Sequence, residues 1–215
     1  MLNLIFDGKH PKSILCLGAH CDDIEIGCGG AILKYTGNGT GVDVNWVVFS
    51  SNEAREKEAI SSAEDFLKNA KSKTVMVNRF RESFFPACWG EIKEYFEDLK
   101  RRCSPDIVFT HCRRDLHQDH RVINELTWNT FRNHLILEYE IVKYDADLGS
   151  PNAFVYLDQG ICKNKVDYIL KHFKSQADKP WFTEDLFFSS MRIRGAESNS
   201  PGKYAEGYYC RKFVI

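Results

Sequence analysis

Ser13-Ile14-Leu15-Cys16-Leu17 runs directly into Gly18-Ala19-His20-Cys21-Asp22-Asp23-Ile24-Glu25, and Gly27-Cys28-Gly29-Gly30 follows closely. The first five residues read as a short buried strand, since a brief apolar run ending at glycine suits a sheet interior. An imidazole and two adjacent carboxylates then stand where that strand leaves the core. Such groups are rarely stable there unless something positive pairs with them. The pattern returns downstream. Residues 107–110 are again apolar, and Asp115-Leu116-His117-Gln118-Asp119-His120 comes soon after. Two strand ends bearing His and Asp point to one site that holds a divalent metal.

Working outward, strands and helices alternate. Residues 24–35 read as a helix stopped by Gly37-Asn38-Gly39, and 42–49 as a second β-rich run. Residues 53–67 form a helix with Ala59, Ile60, Ala63, Phe66 and Leu67 on its apolar face. A strand at 74–77, a helix at 90–102 closed by Ser104-Pro105, a strand at 107–110 and a helix at 119–132 complete the series. The fold class is therefore α/β: a Rossmann-like, mostly parallel sheet with helices on both faces. Ligands of such sheets bind beyond the carboxyl ends of the strands, where both His/Asp clusters fall. After Leu135 the pattern loosens into apolar stretches at 136–142 and 153–157, a helix at 165–173 and a loop at 195–203. With no repeat or linker, residues 1–215 read as a single domain with a C-terminal elaboration.

The 215 residues suit one domain, and 43% hydrophobic with 13% aromatic residues suffices for a core. A formal net charge of -1 gives no footprint for nucleic acid or an anionic membrane. No apolar stretch approaches the ~20 residues that span a bilayer. The start, Met1-Leu2-Asn3-Leu4-Ile5-Phe6-Asp7, meets an acid too soon for a signal peptide, so a cytoplasmic location is expected. The 8 cysteines include no C-x-x-C pair, so they read as buried reduced thiols and not as a zinc ribbon or disulfide framework.

His20 and Asp23, separated by two residues in a turn or first helical turn, can converge on one point, and His120 supplies a third ligand from the neighbouring strand end. Catalytic zinc takes three such ligands and keeps an open position. Asp22, one residue from a ligand, suits a general base for an attacking water. The plain alternative for Asp22 or Asp23 is a helix N-cap. His117 would stabilise an oxyanion or protonate a leaving amine, with Asp119 holding one of its ring nitrogens and favouring its charged form. Against this stands a solvated helix start.

Those residues carry a family resemblance. The chain resembles the PIG-L/LmbE-like deacetylases, whose first motif, A-H-P-D-D-E, is met by Ala19-His20-Cys21-Asp22-Asp23-Ile24-Glu25 and whose second, H-x-D-H, by His117-Gln118-Asp119-His120. The resemblance implies a zinc-dependent hydrolase that removes the acetyl group from N-acetylglucosamine-type sugars, with one Zn2+ per chain on His20, Asp23 and His120. It implies Asp22 as general base and His117 with Asp119 as a charge-stabilising pair. Arg55, in Arg55-Glu56-Lys57-Glu58, would contact substrate. Tyr204-Ala205-Glu206-Gly207-Tyr208 is a weaker echo near the C-terminus. Two departures stand out: Cys21 replaces the usual proline, which would fix the turn, and Ile24 separates the second Asp from its Glu. Expected partners are a small amino-sugar substrate, no nucleic acid and no integral membrane segment. A homo-oligomer remains open.

Two rival readings remain. Glu25-Ile26-Gly27-Cys28-Gly29-Gly30 mimics the glycine loop of S-adenosylmethionine-dependent methyltransferases, although here the glycines fall within a helix and suit close helix–sheet packing. A catalytically silent sugar-binding protein would not need Asp22. Cys21 as a thiolate ligand is disfavoured, since successive side chains in a tight turn diverge. Arg55 reads equally as an exposed helix residue, and His111 as a packing residue or the mouth of the site. Arg113 and Arg114 could meet a substrate anion; Trp181, Arg192 and Arg194 could shape a far wall.

Overall fold

The structure, a computed structural model, describes residues 11–214. Residues 1–7, read above for a signal peptide, lie outside the described residues. In chain order the elements are β1 (Ser13–Gly18), α1 (Asp23–Thr36), β2 (Asp43–Val48), α2 (Glu53–Phe66), β3 (Ser72–Val77), α3 (Trp89–Arg102) and β4 (Ile107–His111). They continue with α4 (Gln118–Thr130), β5 (Leu135–Tyr139), β6 (Ala153–Leu157), α5 (Gln159–His172), α6 (Glu184–Glu197) and β7 (Tyr204–Tyr209).

The seven strands form one sheet in the order β3-β2-β1-β4-β5-β7-β6. The first five in that order run parallel, and β7 is antiparallel to both β5 and β6. β4 is buried throughout and β1 after its first residue, which explains why these central strands are apolar runs without alternation. Their side chains still take turns. Ile14 and Cys16 enter a core with α1, α2, α5 and α6, while Leu15 and Leu17 enter a second core with α3 and α4. The chain leaves β1 toward β2 on one side and later adds β4 on the other. The crevice above the ends of β1 and β4 is thus the switch point where ligands of such sheets bind.

Helix α1 can lie against the sheet and against α2 because of its glycines. A Cβ at Gly27 would stand 2.1 Å from Tyr139, one at Gly29 2.6 Å from Phe66, and one at Gly30 2.6 Å from Leu157. The glycines are packing positions inside a helix, so the loop that a methyltransferase reading requires is absent from this segment. A buried carboxylate braces the same helix: Glu206 Oε1 and Oε2 accept from the N–H groups of Gly30 and Ala31, 2.7 Å each. Lys165 Nζ neutralises Glu206 at 2.6 Å and donates to Ile26 O at 2.7 Å. The C-terminal echo motif is therefore β7, and its glutamate holds α1.

The C-terminal part differs most from expectation. Helix α5 starts at Gln159 and not at 165, capped by Asp158, whose Oδ1 accepts from Ile161 N at 2.8 Å. Helix α6 takes in the first residues of the expected loop at 195–203. It buries only Phe187, Met191, Arg194 and Gly195, a stripe too narrow to stand out in the sequence. Among the described residues no helix is long and apolar enough to cross a membrane. All eight cysteines are free, and five are buried: Cys16, Cys21, Cys28, Cys112 and Cys162.

Candidate active site

The turn from β1 into α1 is closed by its own acid: His20 N–H donates to Asp23 Oδ2 at 2.7 Å. That bond brings the two side chains to one point, with His20 Nδ1 at 3.3 Å from Asp23 Oδ2. From the other strand end, His120 Nε2 reaches 3.1 Å from His20 Nδ1 and 3.5 Å from Asp23 Oδ2. Three donor atoms thus form a triangle with edges of 3.1, 3.3 and 3.5 Å. Ligand atoms ~2.0–2.2 Å from a tetrahedral ion stand ~3.3–3.6 Å apart, so the triangle has the size and the N,N,O composition of such a site. His117 brings a further ring nitrogen within 4.8 Å of those of His20 and His120.

Each imidazole is oriented from behind. Asp115 Oδ2 lies 2.8 Å from His120 Nδ1, and Asp119 Oδ2 lies 3.3 Å from His20 Nε2. With those nitrogens donating, His120 Nε2 and His20 Nδ1 are left facing Asp23, the carboxylate–histidine arrangement common around metals. Charges in the cluster are uneven. Burial pulls the His20 imidazole down, but Asp23 and then Asp119 outweigh it and push it up to about 10. Burial, followed by the neighbouring His111, pushes His120 down to about 3. Burial would raise Asp23, yet His120, His111 and His20 hold it well below the usual carboxylate range. Two ring nitrogens and one carboxylate oxygen at these separations fit a divalent cation.

Asp22 occupies the N-cap position of α1 but makes no capping hydrogen bond. Its Oδ1 accepts instead from Arg55 Nη2 at 2.7 Å, with both side chains largely buried. Arg55 is thus neither an exposed helix residue nor free to reach outward. It stands on α2, whose N-cap Asn52 accepts from Ala54 N and Arg55 N and fixes the first turn.

The expected His117–Asp119 pair takes another form. The Asp119 carboxylate accepts from Ser83 N at 2.6 Å and Phe85 N at 3.1 Å in addition to its contact with His20. What reaches the His117 ring is the backbone N–H of Asp119, donated to Nδ1 at 3.2 Å, because His117 is the N-cap of α4. Burial and then the charge on His20 lower the His117 pKa, although Asp119 opposes them. With Nδ1 accepting that N–H, the proton of a neutral His117 ring would lie on Nε2. Ser83, which meets Asp119, has φ 66°, a left-handed conformation that costs a non-glycine residue energy and is held by these contacts.

Sequence reasoning left the place of His111 open and missed two further contributors, Asp115 and Lys143. His111 is fully buried beneath the triangle, with Nε2 3.2 Å from Asp23 Oδ2 and its ring stacked on His120 at 3.9 Å, so it forms the floor and not the mouth. Asp115 stood within the quoted motif but had no role assigned. Lys143, 3.0 Å from Asp115, left no local signal at all. Other residues lie apart: Arg194 pairs with Glu140, Arg192 donates to Lys203 O, and Trp181 packs against Tyr144 and Phe182. Arg113 and Arg114 are exposed. Cys21 donates its thiol to Ser50 O at 3.4 Å, and burial pushes that thiol up to about 12.

The sequence pattern of the family described as "PIG-L: GlcNAc-PI de-N-acetylase" matches residues 15–131, which include both strand ends and every residue of the triangle. The chain belongs to the PIG-L family. Solved structures share the PIG-L fold along nearly the whole chain. N,N'-diacetylchitobiose deacetylase from Pyrococcus horikoshii is 21% identical with a TM-score of 0.68, over 93% of this chain and 84% of that one. The conserved protein TT1542 from Thermus thermophilus is 18% identical, TM-score 0.74, over 94% and 96%. GalB, the 4-carboxy-2-hydroxymuconate hydratase from Pseudomonas putida KT2440, is 17% identical, TM-score 0.71, over 95% and 98%. At these identities the likeness establishes the fold, and the same fold serves a deacetylase and a hydratase. The chemistry of this chain has to be argued from its own site.

Proposed function

We propose that this PIG-L protein is a zinc-dependent hydrolase that removes the N-acetyl group from an N-acetylglucosamine-type amino sugar or its conjugate. One observation carries the reading: a buried His–Asp–His triangle of metal-ligand size has an ion-paired carboxylate, Asp22, one residue from its acid. His20, Asp23 and His120 would hold the ion. When bound, the ion acidifies a water and polarises an amide carbonyl.

The chain's own groups do the rest. Asp22 takes the proton of the attacking water, and Arg55 on its Oδ1 fixes that carboxylate. His117 directs a neutral Nε2–H toward the carbonyl oxygen, where negative charge grows as the water adds. Asp22 can then pass its proton to the departing amine, which leaves acetate and a free amino sugar. Asp119 serves His20 in this scheme and sets the ring that faces Asp23. Arg55 orients Asp22 through Nη2, and the other N–H groups of its guanidinium keep a substrate contact compatible with that ion pair.

Binding without turnover would not need Asp22 held in this way. The test is acetate release from a panel of N-acetylated amino sugars by protein stripped of metal and then given Zn2+. Zinc-dependent acetate release supports the proposal. Zinc binding with no release across the panel, or release that ignores chelators, would overturn it.

A further inference from the structure

Lys143 belongs to the segment between β5 and β6, outside the residues that match the family pattern. Its side chain is only 10% exposed, and its ammonium contacts Asp147 at 2.8 Å, Asp115 at 3.0 Å and Asp145 at 3.4 Å. These three carboxylates are grouped closely enough to hold a cation, and the chain supplies that cation itself.

What the ammonium touches is in turn touching the site. Asp115 uses both oxygens: Oδ1 accepts from the backbone N–H of His117 at 2.8 Å, and Oδ2 faces His120 Nδ1 at 2.8 Å. Asp147 Oδ2 accepts from the N–H of Leu116 at 2.8 Å as well as from Lys143. Two carboxylates joined by one ammonium thus hold the backbone of residues 116 and 117 and the ring of residue 120.

We infer that Lys143 is a positioning residue: through Asp115 and Asp147 it fixes the entry of α4 and holds His120 as the Nδ1–H tautomer, with Nε2 turned to Asp23. Its consequence for catalysis rests on the function proposed above; its effect on the imidazole does not. The argument is one of compensation. Asp115 is buried, and a buried carboxylate that loses its cation is strongly disfavoured where it stands. Without the ammonium, three like charges also repel one another across a few ångströms. The segment then draws back, Asp115 turns away, and His120 is free to carry its proton on Nε2, where it blocks ligation.

The test reads the tautomer of His120 in metal-free protein by long-range 1H–15N correlation, and zinc affinity by chelator competition. Wild type and Lys143→Arg are expected to hold His120 as Nδ1–H, with affinities within about threefold of each other. Lys143→Met is expected to show a mixed tautomer and zinc binding weaker by ~10-fold to ~100-fold, the range for lost outer contacts at metal sites. Asp147→Asn, which keeps the ammonium, should move both readouts the same way by less, and it serves if Lys143→Met fails to fold. An unchanged tautomer with unchanged affinity in either variant overturns the proposal. If wild type takes up no divalent metal, the hydrolase reading fails, and the tautomer comparison still decides the role of Lys143.

Discussion

Arg55 Nη2 lies 2.7 Å from Asp22 Oδ1, which joins the first turn of α2 to the cap of α1 directly beside the His–Asp–His triangle. The contact gives the carboxylate one committed oxygen and one free oxygen. It also keeps a positive charge near a group that must hold a proton only briefly.

Asp22→Asn should therefore retain the fold and the metal and lose ~10²–10⁴ of kcat, since an amide of the same shape cannot accept the proton of water. Arg55→Ala should lose less, with the loss in kcat and not in KM, because it loosens the base without removing it. Measuring kcat and bound metal on both proteins separates the cases. Loss of metal from Asp22→Asn would mean that Asp22 is a ligand.

His20→Ala and His120→Ala should bind little zinc after dialysis against a weak chelator, whereas His111→Gln should keep most of it. The distinction follows from geometry, since His111 meets Asp23 from below and accepts the N–H of Ala19 at 2.9 Å. Metal analysis by mass spectrometry gives the answer, and full occupancy in His20→Ala would remove the triangle from the account.

His117→Ala should lower kcat with metal content and KM little changed, because its Nε2–H meets charge that forms only during reaction. Asp119→Asn should behave differently. It weakens the contact to His20 and the hold on Ser83 and Phe85, so metal affinity should fall along with kcat. The two losses should multiply in the double variant, since the residues act on different partners. Losses less than multiplicative would restore them as one working pair.

Gly27→Ala should destabilise the protein by ~1–3 kcal/mol, the usual cost of forcing a methyl group into a filled core. The new Cβ would fall 2.1 Å from the Tyr139 ring, whose hydroxyl donates to Leu17 O at 2.6 Å, so the ring has little room to yield. Urea denaturation reads the change. S-adenosylmethionine should not shift the midpoint of either protein.

Much of this was legible in the chain. β1 and β4 are buried on both faces, so they stand out as unbroken apolar runs, and the polar residues after them mark the strand ends. The triangle could be read because each half is local: the turn carries His20 and Asp23, and the start of α4 carries His120. The supporting layer could not. His111 is hidden in a strand whose other residues are also buried, and Lys143 meets Asp115 only because β5 lies beside β4. The Asp119 carboxylate meets other partners than expected for a similar reason. Its carboxylate is claimed by Ser83 and Phe85, in a loop whose path no nearby spacing reveals. Helix α6 and the antiparallel pairing of β7 were equally hard to see, since a narrowly buried helix leaves weak periodicity and an almost wholly buried strand shows no alternation that reveals its direction.

The grip of Glu206 on the backbone of Gly30 and Ala31 bears on how the protein is born. The helix that presents Asp22 and Asp23 leaves the ribosome well before the carboxylate that braces it, since Glu206 lies 176 residues after Gly30. Chains emerge N-terminal end first, at about 5–20 residues per second. For several seconds, then, α1 lacks both Lys165 and Glu206, and a nascent chain that bears every residue of the triangle still lacks its finished scaffold. Completion of the site in this sense waits on a residue far downstream of the ligands it serves.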